Sequence, residues 1–156
     1  MLEAEGVLRE HPLGAKAVVL RLAGLYGPGR VPRMADLLAG RPIAASTEGH
    51  LNLIHVDDAA EVVVSAQQRA VLPATYVVSD GHPVSRPVFY LRLAELLGVD
   101  SPEFIEPDPD SARAQRGGGD KKVSNLRMLR ELDVELKYPS FREGLADVAG
   151  HALRAE

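Results

Sequence analysis

Three glycines, Gly24, Gly27 and Gly29, follow an apolar valine-rich run in the stretch VVLRLAGLYGPGR. A strand emptying into a glycine-rich turn is the layout of a pyrophosphate cradle. Such a cradle needs backbone N–H groups aimed at the anion and a helix start directly behind them. Here Pro28 removes one donor, and Val31 and Pro32 delay the next helix. No acidic residue follows a second strand at the spacing a ribose contact requires. A turn with unusual backbone angles is the better reading.

His55, Asp57 and Asp58 form a compact group, but no second histidine lies at helical spacing nearby, and helix capping accounts for the aspartates without a metal. His55 closes a strand, and open α/β sheets place ligands outside strand ends. A buried structural histidine fits the local sequence equally well. Lys121 and Lys122 can grip an anion, although a solvated basic pair is the commoner arrangement. The acids of residues 103–110 lack calcium-loop spacing. Ser65, Ser79 and Ser124 lack the G-x-S-x-G elbow of a serine hydrolase.

These residues need elements to hold them. Helical spacing covers residues 2–10, ended by His11 and Pro12, and residues 17–22 read as a buried strand. Arg21 interrupts that strand, so its guanidinium needs a partner if buried. A helix is expected over 34–38, a strand over 51–56, and a helix over 59–69 capped by Asp57 or Asp58. Ala59, Val62, Val63 and Ala66 form the inward face of that helix. A strand follows at 75–78, then a helix over 87–97 capped by Ser85 and stopped by Gly98. Residues 101–120, with three prolines and three consecutive glycines, read as a long flexible loop. A short strand at 121–124, a helix over 126–132 capped by Asn125 and a last helix from Ser140 to residue 153 complete the chain. The alternation indicates an α/β fold.

Composition limits the function classes. The 156 residues suit one domain, and 46% hydrophobic with 26% charged residues is ordinary for a globular protein. A net charge of −4 argues against a nucleic-acid footprint. The absence of cysteine removes thiolate nucleophiles and thiolate metal sites and fits a reducing compartment. No apolar run is long enough to span a bilayer, and the N-terminus lacks signal-peptide layout, so a cytoplasmic protein without a membrane partner is expected.

Taken together, LRLAGLYGPGR, NLIHVDDAAEVV, TYVVSD and KKVSNLRM…YPSFREGL resemble the C-terminal half of extended short-chain dehydrogenases/reductases, the NAD-dependent epimerase/dehydratase group. The resemblance covers nearly all 156 residues. It implies a partial Rossmann-like fold, a few-stranded mostly parallel sheet with flanking helices. It also implies hydride transfer with NAD or NADP, using a tyrosine–lysine pair spaced Y-x-x-x-K. Neither that pair nor the family's G-x-x-G-x-x-G cradle occurs here: residues Arg30, Asp80, Ala94 and Arg142 stand four beyond the four tyrosines. The chain is therefore expected to be the substrate-binding portion, not catalytic alone, with the Rossmann half missing from it.

By motif position, the resemblance places Leu22 and Ala23 beside the nicotinamide and Gly24, Arg30, Asn52 and His55 at the substrate. It assigns no catalytic residue and no metal ligand to this chain. Nucleotide-sugar epimerases of the group typically carry asparagine where Gly24 stands and arginine where Leu51 stands, which weakens the case for a UDP-sugar. Arg30 or Lys122 can hold a smaller anion instead. The expected partners are a small-molecule substrate and either a complementary Rossmann half or further copies of the chain. The alternative is a non-catalytic small-molecule-binding or regulatory module built on the same scaffold.

Overall fold

The computed structural model describes residues 2–107, 120–152 and 154. Helix α1 (Leu2–Glu10) is fastened to strand β1 (Val18–Leu22) by the arginine that interrupts the apolar run. Arg21 donates from Nε and Nη2 to the two oxygens of Glu5, at 2.9 and 2.6 Å. This bidentate fork holds the Glu5 carboxyl below the usual carboxylate range.

Strand β1 pairs in parallel with β6 (Ala74–Val78), from Val18 opposite Ala74 to Leu22 opposite Val78. The chain then steps sideways at Ala23 into β2 (Gly24–Tyr26), which runs parallel to β5 (Leu53–His55). The step keeps its hydrogen bonds: Ala23 N donates to Val78 O and Gly24 N to Asn52 O, both at 2.9 Å. Strands β3 (Ile43–Ala44) and β8 (Phe104–Ile105) form a further parallel pair. Strands β4 (His50–Leu51) and β7 (Val84–Ser85) form an antiparallel one. The outcome is an α/β fold with small, mostly parallel sheets and flanking helices.

Two apolar clusters lie against these strands. One gathers Ile54, Val62, Tyr76, Val78, Met128 and Leu132. The other gathers Tyr26, Ile43, Phe89, Leu93, Phe141 and Leu145. Helix α3 (Val56–Arg69) buries Ala59, Val62 and Ala66 as its spacing predicts. Val63, expected on the inward face, stays 51% exposed, and Ser65 is buried there in its place.

Several boundaries differ from the sequence reading. The expected strand over 51–56 is split at Asn52, and helix α3 already begins at Val56. The cap of α3 is His55, whose Nδ1 accepts from Asp57 N at 3.3 Å, rather than either aspartate. Asp58 instead turns inward and accepts from Lys137 N and Tyr138 N at 2.8 and 3.0 Å. Ser85 precedes α4 (Arg86–Leu97) and Asn125 precedes α5 (Leu126–Leu132), but neither side chain bonds its helix. Asn125 Nδ2 donates to Ser79 O at 2.8 Å. Ser140 does cap α6 (Phe141–Ala152). Its Oγ accepts from Arg142 N while Glu143 accepts from Ser140 N, the reciprocal capping box.

Helix α2 (Met34–Leu38) lies where the spacing predicts it. The segment read as a loop over 101–120 supplies strand β8 at its start, and residues 108–119 of that expected loop lie outside the described residues. No strand forms over 121–124, because the backbone there bonds to a side chain instead of a neighbouring strand.

Candidate functional site

A cavity of about 740 Å³ opens where β1 gives way to β2. Gly24, Leu25 and Tyr26 of β2 line it, together with residues 44–46, 48, 49 and 51–53. Phe89 and Tyr90, at the start of α4, close the base with apolar surface; both are buried, and Tyr90 Oη donates to Pro32 O at 3.0 Å. Arg33, Glu48, Arg86 and Asp120 bring charge to the lining. A concave, mostly apolar space with few polar groups is the usual form of a small-molecule site.

The residues singled out in the sequence divide around this space. Gly24 and Asn52 line it. Leu22 and Ala23 lie just before Gly24, with Leu22 46% exposed at the end of β1. Arg30 is exposed, bridges back to Gly27 through the main chain and is not on the cavity wall. Lys121 and Lys122 are exposed as well.

Asn52 is not a free amide. Its Nδ2 donates to Lys121 O at 2.6 Å and its Oδ1 accepts from Val123 N at 2.9 Å. Asp120 works beside it: its Oδ1 accepts from His50 N at 3.1 Å and lies 2.8 Å from His50 Nδ1. The His50 hydrogen bond holds the Asp120 carboxyl below its usual range. Two side chains thus stitch residues 120–123 along the rim of the cavity.

His55 sits in the core, fully buried and away from the cavity lining. Tyr26 meets it edge-on with ring centroids 5.4 Å apart, and Tyr138 lies 3.9 Å away. Nδ1 caps α3, and Nε2 stands 3.5 Å from an Asp147 oxygen without forming a hydrogen bond. Burial lowers its pKa, against the pull of Asp57 and Asp147, and favours the neutral ring. Among the described residues, no group of three or more acids or histidines is arranged to hold a metal ion.

The glycine-rich turn has a packing role. A Cβ on Gly27 would lie 2.5 Å from Val56 Cγ2, so this turn can rest on the start of α3 only without a side chain. Behind Gly29 the chain passes through Arg33 in the left-handed region, at φ 62°, before α2 begins. No helix start backs the glycines. Tyr26, inside the same stretch, is fully buried and donates to Ser140 O at 3.4 Å. Burial raises its pKa, which opposes any tyrosinate role.

Sequence reasoning missed Arg33 and Arg86. For Arg86 a signal existed: a basic residue in the first turn of a helix opposes the helix dipole, so its placement calls for another cause.

No protein-family model matches the sequence. Protein YeeZ of Escherichia coli (strain K12) is 33% identical over 138 residues, which is 88% of this chain and 46% of that protein. The chain therefore spans about half the length of the curated relatives it matches. A solved structure of a functionally unknown conserved protein from Silicibacter pomeroyi DSS is 34% identical, with a TM-score of 0.73 over 86% of this chain and 48% of its own. The structure of dTDP-glucose 4,6-dehydratase from Bacillus anthracis in complex with NAD is 18% identical. It superposes with a TM-score of 0.76 over 99% of this chain and 49% of its own. The protein thus shares the Rossmann-like α/β fold of the matching part of that dehydratase, over about half of its length.

Proposed function

We propose that the chain is the substrate-binding portion of an NAD(P)-dependent oxidoreductase of the epimerase/dehydratase family, without catalytic activity of its own. One observation carries this reading. Leu22, Ala23 and Gly24 are consecutive, with Leu22 exposed at the end of β1 and Gly24 already on the cavity wall. Consecutive Cα atoms are about 3.8 Å apart, so a nicotinamide resting on the first two residues lies within reach of a ligand beside the third.

The remaining residues do not complete a dinucleotide site. Gly27 of the turn is spent on packing against Val56, and among the described residues no helix start faces the glycines. No Y-x-x-x-K pair exists in the 156 residues, and no proton transfer is assigned to this chain. Its contribution is an apolar floor, a rim stitched by Asn52 and Asp120, and a wall against which a cofactor held elsewhere can lie.

The test is spectrophotometric. Alone, the chain should leave NADH and NADPH unoxidised with every carbonyl substrate tried. Joined to a polypeptide carrying the G-x-x-G-x-x-G cradle and the Y-x-x-x-K pair, it should support oxidation followed at 340 nm. Turnover by the chain alone would overturn the reading. A non-catalytic binding module is the second reading, favoured by the use of Asn52 and His55 for structural bonds. Ligand binding in the cavity without turnover in any joined form would select it.

A further inference from the structure

We propose that Arg86 is an oxyanion anchor, fixing a phosphoryl or carboxylate group of a ligand whose apolar or aromatic body lies over Phe89 and Tyr90. The inference rests on the reading of the cavity as a substrate site and names the chemistry that site selects.

Arg86 is a cation without a direct ion pair among the described residues. It is half-buried at the cavity wall, and among the described residues no carboxylate lies within ion-pair distance of it. Its bonds go to neutral groups: Nη1 donates to Glu48 O at 2.8 Å and to Ser46 O at 3.4 Å. A guanidinium carries five N–H donors in a planar fork, so the Nε and Nη2 donors remain for a bidentate oxyanion. The two carbonyl bonds fix the orientation of the fork before any ligand arrives.

Helix stability does not explain this residue. It stands at the first position of α4, where the helix end already carries partial positive charge and Ser85 supplies no side-chain cap. Two acids line the same cavity, Glu48 and Asp120; neither carboxylate pairs with Arg86, and Asp120 Oδ1 accepts from His50 N and lies beside His50 Nδ1. A second guanidinium, Arg33, also lines the cavity, with its Nε buried and without a partner. Arg33 shares Asp36 with Arg41, at 3.3 and 2.8 Å, so one carboxylate faces two cations there. The apolar base between the arginines asks for a ligand with a hydrophobic face.

The experiment is calorimetric titration of the full chain with phenyl phosphate, phenylacetate and benzyl alcohol. One or both anions should bind at least about tenfold more tightly than the alcohol, the size expected for a charge-assisted bidentate contact. The stronger of the two tells phosphoryl from carboxylate. Arg86→Ala should erase that preference, Arg86→Lys should restore part of it, and Lys16→Ala should leave it intact. If Arg86→Ala fails to fold, the ¹⁵Nε resonance of Arg86 in the unmodified chain is the readout, and it should shift on titration with the preferred anion. Equal anion affinity in Arg86→Ala, or an Arg86 resonance that stays still while Phe89 and Tyr90 respond, would overturn the proposal. Binding of the alcohol as tightly as the anions would refute the anchor alone. Absence of all binding would refute the site reading with it.

Discussion

Replacing Asp80 with asparagine should make stability less sensitive to pH, and the size of the effect follows from its surroundings. Asp80 is 3% exposed at the end of β6. Its Oδ1 accepts from His82 N at 2.9 Å, whereas Oδ2 is buried without a partner. Burial, helped by the charge of Asp58 and opposed by His82, pushes its pKa up to about 6 from an ordinary 3.8. A carboxyl with a raised folded-state pKa contributes stability that is present below about pH 4 and is lost as pH rises through about 6. Two units at 1.36 kcal/mol each give about 3 kcal/mol of destabilisation at pH 8 that is absent at pH 3.5. Asp80→Asn keeps the bond from His82 and removes the charge, but leaves a buried amide donor unpaired at a cost of roughly 1–3 kcal/mol. The variant should therefore be about as stable as the parent, or more so, at pH 8 and less stable in acid. The difference between the two effects should be about 3 kcal/mol. His55 titrates in the opposite sense, since its lowered pKa costs stability as pH falls below about 6.5. That contribution is common to both proteins and cancels in the difference. Urea unfolding followed by circular dichroism at pH 4, 5, 6, 7 and 8 is the assay. A stability difference that stays constant across this range would refute the assignment of Asp80 as a strained, buried carboxylate.

Other substitutions test the framework of the site. Gly144→Ala, in the first turn of α6, puts a methyl group into the fully buried Tyr26 ring and should cost about 2–3 kcal/mol by thermal or urea unfolding. Asn52→Ala removes both clasps on residues 121–123 and should cost about 2 kcal/mol, with faster exchange at the Val123 amide.

The sequence made some of this arrangement readable and hid the rest for physical reasons. Strand β1 and helices α1, α2 and α3 follow from local periodicity and from breakers such as Pro12 and Gly40. The need for a partner to Arg21 was visible too, although Glu5, sixteen residues away, was not. Two-residue strands such as β3, β4, β7 and β8 carry no period that a window can detect. His55 could not be assigned from its neighbours, because Tyr138 and Asp147, which bury it, lie more than eighty residues further on. Asn52 reads like a binding residue for a similar reason: its partners at 121 and 123 come from a distant segment. Gly24 and Asn52 do reach the cavity wall, and the motif order pointed to them. Pro32 and Arg33 line the cavity and Arg30 does not, a difference that spacing within the loop does not reveal.

The decisive property of this chain is where a nicotinamide would rest. Nuclear Overhauser contacts from the nicotinamide ring protons to the methyl groups of Leu22 and Ala23 measure this directly, in the isolated chain and in the chain joined to a dinucleotide-binding half. The expected result is contacts to both residues in the joined protein and none in the isolated chain. Tight NAD(P)H binding by the isolated chain, or a nicotinamide that contacts other residues in the joined protein, would contradict the account.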